Sequence, residues 1–262
     1  MQVQKKREEK REEKASEVKP EVKGEVKPAT PIDEGETNAK YVEWRDVLYT
    51  GPNVIYGPPL VGKSRFAWAI MAQLRSEGKK ALYMVTEPNL SPIMDQLRKV
   101  LDGVAIEVFD NPYQVREYVR LLYVRRKWVR YDFIALDSLA GLRENYAFMY
   151  GSGKLRDVYE ANRLTTEVVW GLSQYANFHR VPILVITHET PGINRTCFGK
   201  PTCPTASTHA MYAVSSVMYM FKVENKDEEG NVVSIERVIE VVDHRYRPEL
   251  VGCRVRLLEP PL

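Results

Sequence analysis

An α/β fold is predicted for this chain: a mainly parallel twisted sheet flanked by helices, with a C-terminal antiparallel hairpin. Three features carry that prediction. From Tyr41 onward, short β-branched apolar runs alternate with stretches of helical periodicity, the pattern of strand–helix–strand units that stack into a parallel sheet. A glycine- and proline-rich segment, GPPLVGKS at Gly57 to Ser64, falls between the first such run and the first such helix. Past residue 215 the pattern changes to two β-rich stretches around the turn-rich Asn225 to Asn231, which read as a hairpin.

Taken in order, Val54 to Tyr56 is the first strand. Phe66, Ile70 and Leu74 recur at spacing four and mark a helix that stops near Gly78. Ala81 to Val85 is the second strand, and Pro112 starts a helix carrying Val115, Tyr118, Val119 and Leu122. Phe133 to Leu136 is the third strand. Val158, Ala161, Thr165, Val168, Leu172 and Tyr175 alternate spacings of three and four, a long helix feeding the strand Ile183 to Ile186, where the parallel part of the sheet is expected to end. Ser216 to Val223 and Ile235 to Val242 form the hairpin. A last strand near Cys253 to Leu258 follows, so the antiparallel edge is expected at the C-terminus.

The 262 residues suffice for one sizeable domain. Residues 1–40 lack any aromatic side chain and read KKREEKREEK, then EVKP, EVKG, EVKP, a composition that buries too little apolar surface to offset its ordering entropy. A solvated charged tail is expected there, with an interaction arm as the alternative, and the folded core is expected over 41–262. No apolar run approaches the roughly 18 residues of a membrane span, and the N-terminus opens with charges, which predicts a cytoplasmic protein without a membrane partner. A net charge of +3 permits nucleic acid as a partner without requiring it. Cys197, Cys203 and Cys253 cannot all pair within one chain, and with His179, His188, His209 and His244 scattered they form no zinc quartet, so a structural metal is not expected. Cys197 and Cys203 lie close enough in sequence to close a small disulfide; two reduced thiols are the favoured state.

GPPLVGKS matches GxxxxGK[ST] in a strand–loop–helix context, the phosphate-binding loop of P-loop proteins. Its chemistry predicts ATP and Mg2+ as cofactors. The backbone of Gly57, Pro58, Pro59, Leu60, Val61, Gly62, Lys63, Ser64 and Arg65 would surround the phosphates, with Lys63 reaching the β and γ oxygens and Ser64 ligating magnesium. FIALDS at Phe133 to Ser138 places Asp137 after four apolar residues, the Walker B pattern for a carboxylate that holds the hydrated magnesium. Glu87, directly after the strand ALYMV, stands where a carboxylate would polarise an attacking water and is the expected catalytic carboxylate, with a surface or helix-starting glutamate as the alternative.

The order of these features resembles the RecA and RadA recombinases, especially archaeal RadA-like paralogues, from Tyr41 to the C-terminus. YMVTE at Tyr83 to Glu87 is similar to the family's strand ending in Thr-Glu, and LDSLAGLREN at Leu136 to Asn145 to its Walker B strand with a downstream Arg-Glu. YGSGKLRDVYEANRL at Tyr150 to Leu164 is similar to its Gly-x-Gly segment and the helix behind the first DNA-binding loop. ITHET at Ile186 to Thr190 stands where the family reads Thr-Asn-Gln and senses the γ-phosphate, so the resemblance assigns that place to His188 and Glu189. RVIEVVDHRYRPE at Arg237 to Glu249 resembles the last hairpin strand and the cap over a neighbouring subunit's ATP, which would be Asp243, His244 and Arg245 here. No phenylalanine precedes Phe66, so the Phe-x-x-Ala linker motif of RadA polymerisation is missing. A paralogue that assists or restrains a recombinase, with other recombinase or paralogue subunits as possible partners, fits better than a filament-forming strand-exchange enzyme.

The resemblance implies two DNA-facing loops, Leu139 to Lys154 and Thr190 to Ala210. Arg143, Tyr146, Tyr150 and Lys154 in the first, with Arg195, Phe198 and Lys200 in the second, mix cations with aromatic rings, as single-stranded DNA binding requires. A polar rim without nucleic acid is the alternative. The expected function is thus a slow, DNA-stimulated, Mg-dependent ATPase acting in recombinational repair. The alternative is a nucleotide-gated interaction module, similar to KaiC-like proteins, with little turnover. A small-molecule kinase lacks a visible substrate domain.

Overall fold

The computed structural model describes residues 39–192, 196–227 and 229–258, the side chains of Pro88, Asn89 and Ser91 excluded. The expected tail therefore lies outside the described residues except for Ala39 and Lys40. No helix among the described residues is long and apolar enough to cross a membrane.

The chain runs β1 (Tyr41–Val42), α1 (Trp44–Val47), β2 (Gly51–Tyr56), α2 (Lys63–Ser76), β3 (Ala81–Val85), a 3-10 turn (Pro88–Ile93) into α3 (Met94–Val100), β4 (Ala105–Val108), α4 (Pro112–Val124) and β5 (Phe133–Asp137). It continues with α5 (Leu139–Tyr150), α6 (Leu155–His179), β6 (Pro182–Ile186), β7 (Glu189–Pro191), β8 (Thr202–Pro204), α7 (Thr208–Met211), β9 (Ser216–Lys226), β10 (Val232–His244) and β11 (Arg254–Val255).

Nine strands form one sheet in the order β1-β11-β10-β9-β2-β6-β5-β3-β4, and β7 and β8 form a small antiparallel sheet of their own. The central strands β2, β3 and β5 are buried throughout, which is why they read as unbroken apolar runs rather than alternating ones. Their side chains still alternate between two cores. Ile55, Tyr83, Val85, Phe133, Leu184 and Ile186 pack with Phe66, Ile70 and Leu74 of α2 and Leu97 of α3. Val54, Leu82, Met84, Ile134, Leu136 and Val185 pack on the other face with Val115 and Val119 of α4 and Val168 and Leu172 of α6.

Several expectations change. The parallel part does not end at β6, because β9 pairs parallel with β2 through Asn53–Ser216 to Tyr56–Tyr219. Nor is the C-terminal strand the sheet edge: β1 docks parallel to β11, with Arg254 N–H donating to Lys40 O at 2.9 Å and Arg256 N–H to Val42 O at 3.0 Å. The stretch Leu139 to Tyr150, expected as a DNA-facing loop, is helix α5, capped by Ser138 Oγ accepting from Gly141 N–H at 2.9 Å. Leu139, Leu142 and Tyr146 bury one side of it, at helical spacing. The second expected loop contains the β7–β8 ladder, which brings Cys197 and Cys203 to a Cα separation of 5.1 Å; they are joined as a disulfide rather than held as reduced thiols. Cys253 is buried and free.

Candidate nucleotide site

The chain leaves β2 into the loop Gly57 to Gly62 and turns directly into α2. Gly57 holds φ at 151°, and a Cβ there would stand 2.0 Å from the carbonyl oxygen of Met220, so only glycine lets the loop lie against β9. Gly62, at φ 114°, is the N-cap of α2, and Phe66 N–H donates to its carbonyl at 3.0 Å, which leaves the first N–H groups of the helix directed at the loop's concavity. Leu60 is almost fully exposed at the loop tip, whereas Val61 is buried. Lys63 is buried and its ammonium folds back, donating to Gly57 O at 2.9 Å and Pro58 O at 2.7 Å. Burial holds its pKa below the usual lysine value, against the opposing pull of Asp137, Glu87 and Glu189.

Because β2, β6, β5 and β3 are adjacent and parallel, their C-terminal ends deliver the loop, His188, Asp137 and Glu87 to one rim. Asp137 ends β5 fully buried. Its Oδ2 accepts from the Tyr83 hydroxyl at 2.6 Å, while Oδ1 is buried with no hydrogen-bond partner. Burial first and Glu87 second push its pKa up to about 6, partly offset by the Ser64 hydroxyl beside it, by Tyr83 and by Lys63. The Ser64 hydroxyl does not reach Oδ1 as a hydrogen-bond partner. Tyr83 is itself held well above its ordinary value by burial, so it is a donor to the carboxylate across the whole useful pH range.

Glu87 lies just past β3 and is mostly buried. Its Oε1 accepts from the Ser138 hydroxyl and lies 3.2 Å from His188 Nε2. His188 Nδ1 lies 3.8 Å from Glu144 of α5. The hydrogen bond to Glu87 holds the His188 pKa above its ordinary value, with burial opposing. The rim is braced from behind: Thr86 Oγ1 donates to Ser138 O at 2.6 Å and accepts from Ser138 N–H at 2.9 Å, and Asn145 Nδ2 donates to Thr86 O at 2.9 Å. Gly141 lets α5 close on this brace, since a Cβ there would meet Glu87 Cγ, Thr86 O and Thr86 Oγ1 at 3.0 Å.

Other expected site residues fall elsewhere. Glu189 is engaged by the strap and β9, its Oε2 accepting from Thr202 Oγ1 at 2.9 Å and Tyr219 OH at 3.2 Å, and reaches Lys63 only through its charge. Asp243 and His244 pair with Val217 and Ser216, level with the start of β2, so they sit at the end of the sheet opposite this chain's own loop. His244 is buried, with Nε2 3.1 Å from Val47 O and Nδ1 accepting from Tyr246 and Arg247 N–H; its imidazole braces that turn instead of projecting as a cap. Arg245 Nη2 donates to Tyr212 O at 2.7 Å.

Of the residues assigned to DNA, Tyr146 is buried in a ring cluster with Tyr113 and Tyr150, and Lys200 is held by Glu240 at 2.9 Å over the Tyr219 and Phe221 rings. Tyr146 thus shows only a small part of its ring to the groove beside it, and Lys200 has its counter-charge at home. Arg143 is half-buried, Phe198 is exposed at φ 56° in the turn between Cys197 and Lys200, and Arg195 lies outside the described residues. Tyr150 and Lys154 line a groove of about 450 Å³ together with Arg156, Asp157 and Arg163.

Sequence reasoning missed Tyr83, Ser138 and Met220 as parts of the site, and also Arg237, whose Cδ and Nε lie 3.4 and 3.5 Å from where a Cβ on Gly62 would be. Ser138 carried a visible signal, as a serine between a strand and an apolar helix; the others depend on strand adjacency. No protein-family model matches the chain, and no curated protein matches it significantly.

Proposed function

We propose that this chain is a RecA-type P-loop protein that binds Mg-ATP and hydrolyses it slowly, with single-stranded DNA as its macromolecular partner in recombinational repair. The observation that carries the nucleotide reading is Asp137: a fully buried carboxylate with one orphaned oxygen, set between Lys63 and Glu87 at the mouth of a glycine loop. An unpaired buried carboxylate is costly unless something occupies the position in front of it. Ser64 and Asp137 are the residues that would hold magnesium, which supplies neutralisation of phosphate charge when bound. The N–H groups at the start of α2 would take phosphate oxygens. Lys63, now donating to the carbonyls of Gly57 and Pro58, would donate to phosphate oxygens instead, whose charge offsets the burial of its ammonium. Glu87 then positions the attacking water, with the Ser138 hydroxyl and His188 fixing its carboxylate. DNA contact is supported by exposed cations and rings beyond the rim, where α5 ends at Tyr150 and Lys154 opens α6.

One observation favours a second reading, a nucleotide-gated interaction module. Glu87 is engaged by His188 and Ser138, and turnover requires that engagement to loosen. The deciding experiment is Mg-ATP binding and turnover with and without single-stranded DNA, beside Lys63→Ala and Glu87→Gln. DNA-stimulated turnover lost in both variants supports the ATPase. Binding without turnover leaves the gated module, and no binding sinks both.

A further inference from the structure

β9 and β10 outrun the strands beside them. The last pair joining β9 to β2 is Tyr219–Tyr56, yet the hairpin ladder continues to Lys226 and Val232. The projecting part stands alongside the glycine loop. Its two faces differ in kind. On one, Tyr219 and Phe221 stack and carry Lys200, whose charge Glu240 balances. The other face, by strand alternation, carries Met220 and Lys222 on β9 with Arg237 and Ile239 on β10. That is the face in contact with the loop, since Met220 Cε and Arg237 Cδ lie 3.3 and 3.4 Å from the position of a Gly62 Cβ.

Lys222 and Arg237 are directly opposite one another in the hairpin register, and both are exposed. Like charges set opposite across a ladder cost stability. Among the described residues neither side chain enters an ion pair or a side-chain hydrogen bond, although Glu224, two residues along, lies 3.9 Å from Lys226. Two uncompensated cations are thus held together beside a loop shaped for phosphate, with Arg237 against Gly62, the N-cap of α2.

We infer that Lys222 and Arg237 form a second anion-binding wall of the nucleotide site, taking polyphosphate from the hairpin side of the loop. This rests on the nucleotide reading above. A guanidinium touching the loop offers a planar fork that matches two phosphate oxygens, and the lysine adds a mobile point charge. The wall favours a chain of phosphates over a nucleoside or monophosphate, because the added charges act along the polyphosphate and make no demand on the base.

The test is calorimetric titration of the full chain with Mg-ATP and, separately, with inorganic tripolyphosphate, for wild type, Lys63→Ala, Arg237→Gln, Lys222→Gln and the Arg237→Gln/Lys222→Gln pair. Melting curves of each variant confirm folding; the exposed positions and the relief of like-charge repulsion predict no loss of stability. Each single glutamine substitution is expected to weaken both ligands about tenfold, as loss of a charged hydrogen bond does, and to flatten the salt dependence of binding. If wild type binds and Lys63→Ala does not, but the double variant binds both ligands within about twofold of wild type, the wall is refuted and the nucleotide site survives. Weakening of Mg-ATP alone, with tripolyphosphate unchanged, also overturns it, because the contact is then to the nucleoside. Absence of binding by the wild type removes the nucleotide reading and this inference together.

Discussion

His188 Nε2 lies 3.2 Å from Glu87 Oε1, joining the ends of β6 and β3 across the intervening β5. The pair raises the His188 pKa above its ordinary 6.5. A histidine raised on folding contributes stability that is complete below its unfolded value and is lost as pH rises through the higher folded value. Replacing Glu87 with Gln removes the charge and leaves burial, which lowers a histidine pKa. The His188 resonances in Glu87→Gln should therefore titrate at lower pH than in wild type, and the decline of wild-type stability above pH ~6.5 should disappear. An unchanged titration would show that the two side chains do not meet in solution.

Asp137 has the same direction of pH dependence from the opposite cause, a charge that costs stability instead of adding it. Its carboxyl is raised from 3.8 to about 6, so the folded state holds a proton that the unfolded state releases, and stability falls as pH rises between those values. Above that window the ionised group costs on the order of 3 kcal/mol. Asp137→Asn keeps an acceptor for the Tyr83 hydroxyl and removes the charge. The variant is expected to melt higher than wild type at pH 7, equal to it below pH ~4, and to gain no stabilisation from Mg-ATP. A lower melting temperature at pH 7 would show that the carboxylate is paid for in the ligand-free protein by something other than a proton.

The glycines of the two turns separate a site requirement from a merely local one. Gly57→Ala drives a methyl into the Met220 carbonyl, and the strand beneath cannot yield without breaking its pairing with β10. Urea unfolding should show a loss of about 3 kcal/mol together with loss of nucleotide binding. At Gly230, φ is 85° with nothing within 4 Å of an added Cβ. Gly230→Ala should cost about 1 kcal/mol from backbone strain alone and leave binding intact. Equal losses at the two positions would mean the loop does not lie on β9 as described.

The central strands were legible because burial on both faces leaves an unbroken apolar run, as in ALYMV and FIALD. α6 was legible from its spacings. β4 was not, because AIEV is only partly buried, and the pairing of β1 with β11 joins two-residue strands whose sequences announce nothing. Lys63 could be named from the GxxxxGK[ST] spacing, and Asp137 and Glu87 because they stand at and just past the ends of apolar strands. The order of the strands, which makes those ends neighbours, is a tertiary property with no local trace. The same holds for Tyr83, whose hydroxyl reaches Asp137 only because β3 and β5 are adjacent, and for Arg237 and Lys222, which face each other by hairpin register. His188 and Glu189 looked equivalent in the sequence, yet consecutive residues diverge: one faces Glu87 and the other Tyr219.

The Cys197–Cys203 bridge closes a loop with a sequence separation of six residues. The ladder it staples aligns Thr190 with Cys203 and Pro191 with Thr202, so it holds Thr202 against Glu189 and Lys200 against Glu240. Closing so short a loop limits the unfolded chain by about 2 kcal/mol on the chain-entropy account. Dithiothreitol should therefore lower the melting temperature of wild type by several degrees, about 2–4 °C for each kcal/mol in a domain of this size. Cys197→Ser should melt at the reduced wild-type temperature and ignore reductant. Because the strap's contacts pass through Glu189 to the Tyr219 hydroxyl and through Lys200 to Glu240, the same variant should raise amide exchange in both β8 and the adjoining part of β9. Faster exchange confined to residues 197–203 would restrict the bridge to a local role, and a wild-type melt indifferent to reductant would show that the bond adds no constraint.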